Sequence, residues 1–360
     1  MARPAHVIAV NALVFLGIVY VLNMLSAVAI DARYQLEDLV EGEDSRASLP
    51  PYRDRDRAAL ILDEFRALRT RYAPYVAWSR SPFQGETTTV GPNGDRIHPH
   101  TTETPKQIVR FFGGSTVWAT GVDDRGTIPA LFDQKFRDVV AYNHGESGFV
   151  SRQSLARLIN LVNQGAPMDW VVFYEGYNDV QYRCHGTTPN GHAREARLAQ
   201  LVSPGSHVVS TLLGSLREVA NFLAKPLRRW GARFRPCQDD PEYVAGIART
   251  LVANWRIARE VARLGGAGFV AILQPMAGTG APQIDYLDLD DEELSDYSVA
   301  YRAIQREMAS AAVPWMVDMT SIFDGEPDLY IDSCHVVARG NQLIADAVAR
   351  ELIDTQGASL

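Results

Sequence analysis

The stretch Phe111-Phe112-Gly113-Gly114-Ser115-Thr116-Val117-Trp118-Ala119-Thr120-Gly121 decides how the rest of the chain is read. An apolar run, residues 108–112, leads into it with the length and composition of a buried strand. Two glycines then break the strand and permit a sharp turn with close backbone approach. Ser115 follows at the turn, where a strand gives way to a helix or loop. A serine so placed can aim its hydroxyl and its backbone N–H at one reacting carbonyl, which is what a nucleophilic serine requires. Gly-Gly-Ser alone also makes ordinary loops, so its meaning depends on its surroundings.

Outward from this turn, strand and helix patterns alternate. Further strands are predicted at 139–143, 170–174, 269–274 and 315–318, and helices at 127–137, 151–164 (capped by Ser151), 296–312 and 338–353. Such alternation predicts a parallel sheet covered by helices on both faces. Ligands of such sheets bind at the carboxyl ends of the strands, and Ser115 stands at one of them. Residues 181–242 form a long insertion between the third and fourth strands, of the kind that carries a lid or binding function. It holds Cys184 and Cys237, which an exported domain could join as a disulfide; buried thiols are the other reading. Its basic part, 217–235, could grip an anionic polymer or lie on an anionic membrane, or simply be a solvated helix face.

Toward the N-terminus, residues 7–30 carry no charge and are long enough to cross a bilayer as a helix. We read 1–30 as a transmembrane anchor with the remainder outside the cytoplasm; a cleaved signal peptide is the rival reading, given Ala27-Val28-Ala29. Residues 31–106 read as a connecting region: an acidic linker to 51, an amphipathic helix over 53–71, and an extended, irregular lead-in over 74–105. His98 and His100 lie in that lead-in and read as surface residues, because a metal site would need more ligands nearby. Residues 285–296 read as an acidic loop without the glycine and spacing of a calcium-binding loop.

The 360 residues are 46% hydrophobic and 22% charged, which suits a chain with a full core. A net charge of -8 argues against nucleic acid as a partner. The 3 cysteines contain no C-x-x-C pair and so no zinc or redox signature.

Three later stretches belong with Ser115: Asn143-His144-Gly145-Glu146-Ser147-Gly148 after the second strand, Gly176-Tyr177-Asn178-Asp179 after the third, and Asp332-Ser333-Cys334-His335 before the last helix. A parallel sheet brings all of them to one edge. A serine nucleophile needs a base, and His335 is the candidate; its ring needs a carboxylate, and Asp332 can supply one from the same turn. The oxyanion of acyl transfer needs donors, available from the N–H groups of Ser115 and Gly148 and the Asn178 amide. Asn143 could hold its loop through side-chain bonds to backbone, with Gly114, Gly176 and Asp179 in support.

In this order the four blocks resemble those of the SGNH (GDSL-like) hydrolases, over residues 107–360. The resemblance implies a three-layer α/β/α fold with a five-stranded parallel sheet. It also implies Ser115 as nucleophile, His335 as base, Asp332 as third member, and Gly148 and Asn178 as oxyanion donors. Gly114 stands where the family's name motif has Asp. No metal or organic cofactor is implied. The expectation is a serine esterase acting on an O-acyl group, such as acetyl, of an envelope or exported polysaccharide. An acyltransferase using the same serine, a lipase or thioesterase, and a non-catalytic binding module are the alternatives.

Overall fold

The computed structural model describes residues 4–40, 44–184, 190–192, 194–195, 236–355 and 357. The basic segment 217–235 and most of the insertion lie outside the described residues. Two compact units divide the chain, Met1–Gly42 with Ala193–Phe234 and Glu43–His192 with Arg235–Leu360.

The first unit contains α1 (Pro4–Val40). Its His6–Ala29 part, with mean hydropathy 2.3, has the length and composition to span a bilayer. The helix continues past residue 30, where a linker was expected. Ala32, Gln35, Leu36, Glu37 and Leu39 are strong helix formers, so the change from apolar to acidic sequence does not end it.

The second unit begins with a short 3₁₀ turn at Ser45–Ser48 and α2 (Arg55–Ala67). The Asp54 carboxylate caps α2 by accepting from the Arg57 N–H, and the helix buries Ala58, Ile61 and Leu62 at helical spacing. Two antiparallel hairpins follow, β1 (Thr70–Ala73) with β2 (Ala77–Arg80) and β3 (Phe83–Gln84) with β4 (Thr89–Val90). The irregular lead-in expected over 74–105 is therefore partly corrected. Strands of 4 and 2 residues are too short to show alternation in sequence.

Five parallel strands form the central sheet: β5 (Gln107–Gly113), β6 (Val139–Asn143), β7 (Trp170–Glu175), β8 (Gly268–Leu273) and β9 (Met316–Asp318), in the order β6-β5-β7-β8-β9. The connecting helices are α3 (Ser115–Trp118), α4 (Ile128–Asp133), α5 (Ser151–Asn163), α6 (Tyr177–Cys184), α7 (Pro236–Asp239), α8 (Pro241–Leu264), α9 (Asp291–Ala311) and α10 (Ala338–Arg350). Successive strand side chains point to opposite faces. Val109, Phe111, Val172, Val270 and Ile272 therefore pack with Ile128 and Phe132 of α4 and Ile344 and Val348 of α10. Phe112, Val171, Phe173, Phe269 and Ala271 pack with Leu155 and Leu158 of α5, Leu251 and Trp255 of α8, and Tyr297 and Ile304 of α9. The result is the three-layer α/β/α sandwich the alternation predicted.

Several expectations are refined. Residues 291–295, read as acidic loop, are the first turn of α9: the Asp290 carboxylate accepts from the Glu292 and Glu293 N–H groups, and acidic residues suit a helix start. Ser151 is not a cap; Val150 takes that position, and the Ser151 hydroxyl donates to Asp179 Oδ1 at 2.6 Å. The reading of 181–242 as one insertion hid the start of α8, the helix that covers β7 and β8. Cys184 and Cys237 are disulfide-bonded and tie α6 to α7.

The strand order makes the chain leave β5 for β6 on one side and return to β7 on the other. Loops after β5 and β7 therefore diverge, leaving a crevice at the carboxyl ends of these two strands.

Candidate active site

Ser115 opens α3 immediately after β5, beside that crevice. Gly114, just before it, faces Asn178: a Cβ there would lie 2.3 Å from Asn178 Nδ2, so a larger residue would displace that amide.

Asp332 and His335 come from the turn before α10. The His335 Nε2 atom lies 2.7 Å from Ser115 Oγ, and its Nδ1 lies 2.8 Å from Asp332 Oδ2. With Nδ1–H donating to the carboxylate, Nε2 is left to accept the serine O–H. The carboxylate is itself held, since Oδ1 accepts from the His335 and Cys334 backbone N–H groups at 2.8 and 3.0 Å. Burial alone would raise the Asp332 carboxyl, but the His335 ring and these N–H bonds outweigh it and hold it well below the usual carboxylate range. Cys334, adjacent to the ring, is fully buried, and burial followed by the Asp332 charge pushes its thiol well up. It remains an un-ionised packing residue, not a competing nucleophile.

Asn178, on the first turn of α6, donates from Nδ2 to the Phe149 carbonyl at 2.8 Å and so joins the loops after β6 and β7. Gly148 lies in the first of these loops with φ +78°, a conformation that favours glycine. Asn143 holds the same loop to α3. Its Nδ2 donates to the Val117 carbonyl at 2.8 Å, and its Oδ1 accepts from the Gly145 N–H at 3.0 Å. Gly176 makes the turn between β7 and α6. Asp179 sits behind the site, accepting from the Ser151 N–H at 2.9 Å and pairing with Arg183 at 2.9 Å. His144 is buried between Asp95 and Arg110, 2.6 and 2.9 Å away, and supports the loop.

Four residues outside the expected set also support the site. Arg46, in the stretch read as acidic linker, donates from Nη1 to Asp332 Oδ2 at 3.0 Å and is clamped by Asp44. Tyr52 donates to the Gly121 carbonyl at 2.7 Å, at the end of the serine turn. Trp78 and Arg80 of β2 hold the loop of Gly148, through the Ser147 carbonyl at 3.1 Å and the buried Glu146 at 3.0 Å. None of these contacts follows a periodicity, so no sequence pattern announces them.

Glu175, at the end of β7, gives the site a pH-dependent support. Trp255 Nε1 donates to its Oε2 at 2.8 Å, and Asp179 and Arg183 are its charged neighbours. Burial, and then the Asp179 charge, raise its carboxyl from 4.5 to about 8. The folded state then holds a proton that the unfolded chain releases, so this contribution to stability is present below 4.5 and lost as pH rises through about 8. Glu175→Gln should therefore flatten the fall in melting temperature across that window and raise it by a few degrees at the alkaline end. Thermal melts in a pH series check this; an unchanged slope would refute the assignment.

No protein-family model matches the chain. No curated protein matches it either. Among solved structures, it is similar to a lipolytic protein of the G-D-S-L family from Veillonella parvula, with 14% identity, 68% of this chain and 97% of that one covered, and TM-score 0.39. A carbohydrate acetylesterase from Sinorhizobium meliloti is similar at 12% identity, with 69% and 98% covered and TM-score 0.39. The M. smegmatis aryl esterase is similar at 12% identity, with 69% and 99% covered and TM-score 0.40.

Proposed function

We propose that the chain is an SGNH-type serine esterase. One observation carries this reading: His335 bridges Ser115 and Asp332 through its two ring nitrogens, at 2.7 and 2.8 Å. As Ser115 Oγ attacks an ester carbonyl carbon, His335 Nε2 takes the hydroxyl proton, and Asp332 stabilises the resulting imidazolium. The carbonyl oxygen becomes an oxyanion received by the Ser115 and Gly148 N–H groups and the Asn178 amide. An amide nitrogen carries two N–H bonds, so Asn178 can serve the Phe149 carbonyl and the oxyanion together. Collapse expels the alcohol, which takes the proton from His335. Water, deprotonated by the same nitrogen, then attacks the acyl-serine, and collapse releases the carboxylic acid as Ser115 Oγ takes the proton back from His335.

The substrate reading is an O-acyl ester, acetyl in the first instance, on an envelope or exported polysaccharide. Its support is the compartment: an N-terminal helix able to span a bilayer and a disulfide both suit a domain held outside the cytoplasm. On this reading the full-length protein should stay with the membrane pellet through an alkaline carbonate wash. Its appearance in the supernatant would remove the anchor and leave the secreted alternative.

A fluorophosphonate probe tests the chemistry. The folded protein should become covalently labelled, and peptide mapping should place the adduct on Ser115. Absence of labelling in the folded, unaltered protein would overturn the esterase reading.

A further inference from the structure

A second cluster lies where the segment after β4 meets the end of α4. His98 and His100, two residues apart in an extended chain, share a face. Both aim a ring nitrogen at one atom: His98 Nε2 lies 3.2 Å, and His100 Nδ1 2.8 Å, from Asp133 Oδ2. The other carboxylate oxygen, Oδ1, accepts from Thr101 Oγ1 at 2.9 Å, which fixes the orientation of the group. Asp133 and His98 are buried, whereas His100 is exposed. This corrects the expectation that both histidines are surface residues lacking a further ligand. Among the described residues, the ion-pairing partners of Asp133 are these two imidazoles.

We propose that His98, His100 and Asp133 form a zinc site, separate from the serine machinery. The three donor atoms lie within 4.8 Å of one another. Donors at about 2.0–2.2 Å from a tetrahedral zinc stand roughly 3.2–3.6 Å apart. The His98 to Asp133 spacing of 3.2 Å already matches, and the His100 to Asp133 spacing of 2.8 Å would have to open as the exposed ring adjusts. Two imidazoles and a carboxylate suit zinc, and the Thr101 hydroxyl supplies the outer hydrogen bond that orients a ligating carboxylate. Zinc would bring positive charge to a buried carboxylate whose present partners are imidazoles. Exposure of His100 gives the ion a route in and leaves a fourth position for water. The site would clip the segment carrying residues 98–101 onto α4 and stabilise the fold without touching substrate.

The test uses the full-length protein, stripped with a chelator, dialysed, and titrated with zinc alone. Calorimetry should give one zinc per chain with a rise in melting temperature, and cobalt in its place should give visible absorption bands. His100→Ala changes an exposed residue, so it should weaken zinc binding by at least the roughly 10- to 100-fold that loss of an outer-shell partner costs, and abolish the cobalt bands. Asp133→Asn should do the same where it folds. No saturable zinc binding by the unaltered protein would overturn the proposal, as would unchanged affinity in His100→Ala. Esterase activity is not a readout, so failure here and failure of the Ser115 chemistry stay distinguishable.

Discussion

Ser115→Ala is expected to lower kcat for hydrolysis of p-nitrophenyl acetate by about 10⁵-fold. The reason is the loss of both the attacking oxygen and the covalent intermediate. His335 keeps its partner Asp332, so the ring stays in place and has no bound proton donor to serve. A residue of rate above the buffer reaction should survive, because donors for the oxyanion remain and can act on direct attack by water. The melting temperature should move little, since the serine contributes one side-chain hydrogen bond at a crevice and fills no core volume. Steady-state kinetics on matched, folded samples provide the measurement. Retention of more than a few per cent of the activity would show that the nucleophile lies elsewhere.

Asn178→Ala has the next largest expected effect, about 10²- to 10³-fold in kcat. A donor aimed at an oxyanion acts on charge that appears only as the reaction proceeds, so kcat should fall much more than KM rises. The bond to Phe149 means the substitution also loosens the loop of Gly148, adding to the loss. That structural part can be separated. If Asn178 served only to hold the loop, activity would fall in step with stability, and a stabilising solute such as sucrose would recover much of it. A kcat deficit insensitive to sucrose, with KM nearly unchanged, marks the electrostatic role.

How far sequence reading reached depended on how local each signal was. The sheet was legible because buried parallel strands are continuous apolar runs, as in Trp170–Glu175, separated by helical spacing. Ser115 after β5, and Asp332 with His335 in the turn before α10, could be singled out as residue types. Their mutual distances were not legible, since 220 residues separate Ser115 from His335. Arg46 was invisible for a stronger form of the same reason: its contact with Asp332 spans 286 residues and leaves no period in the chain. His98 and His100 were misread because their carboxylate partner lies 35 and 33 residues further on, in α4. The hairpins of the lead-in were missed because strands this short rest on pairing, which composition does not encode.

The segment between α1 and α2 is short, yet it reaches the reacting groups. Asp44 grips Arg46, Arg46 grips the carboxylate behind the proposed base, Ala47 packs with Ala58 and Leu62, and Tyr52 closes on the serine turn. A plain connector could be severed anywhere along its length without harm. This one cannot, because its last residues are also a brace for the chemistry. A cut upstream of Asp44 would leave these contacts whole. A cut a few residues later, between Arg46 and α2, would free Arg46 and weaken the hold on Asp332. The position of a nick in this neck therefore decides whether Asp332 keeps its outer cation.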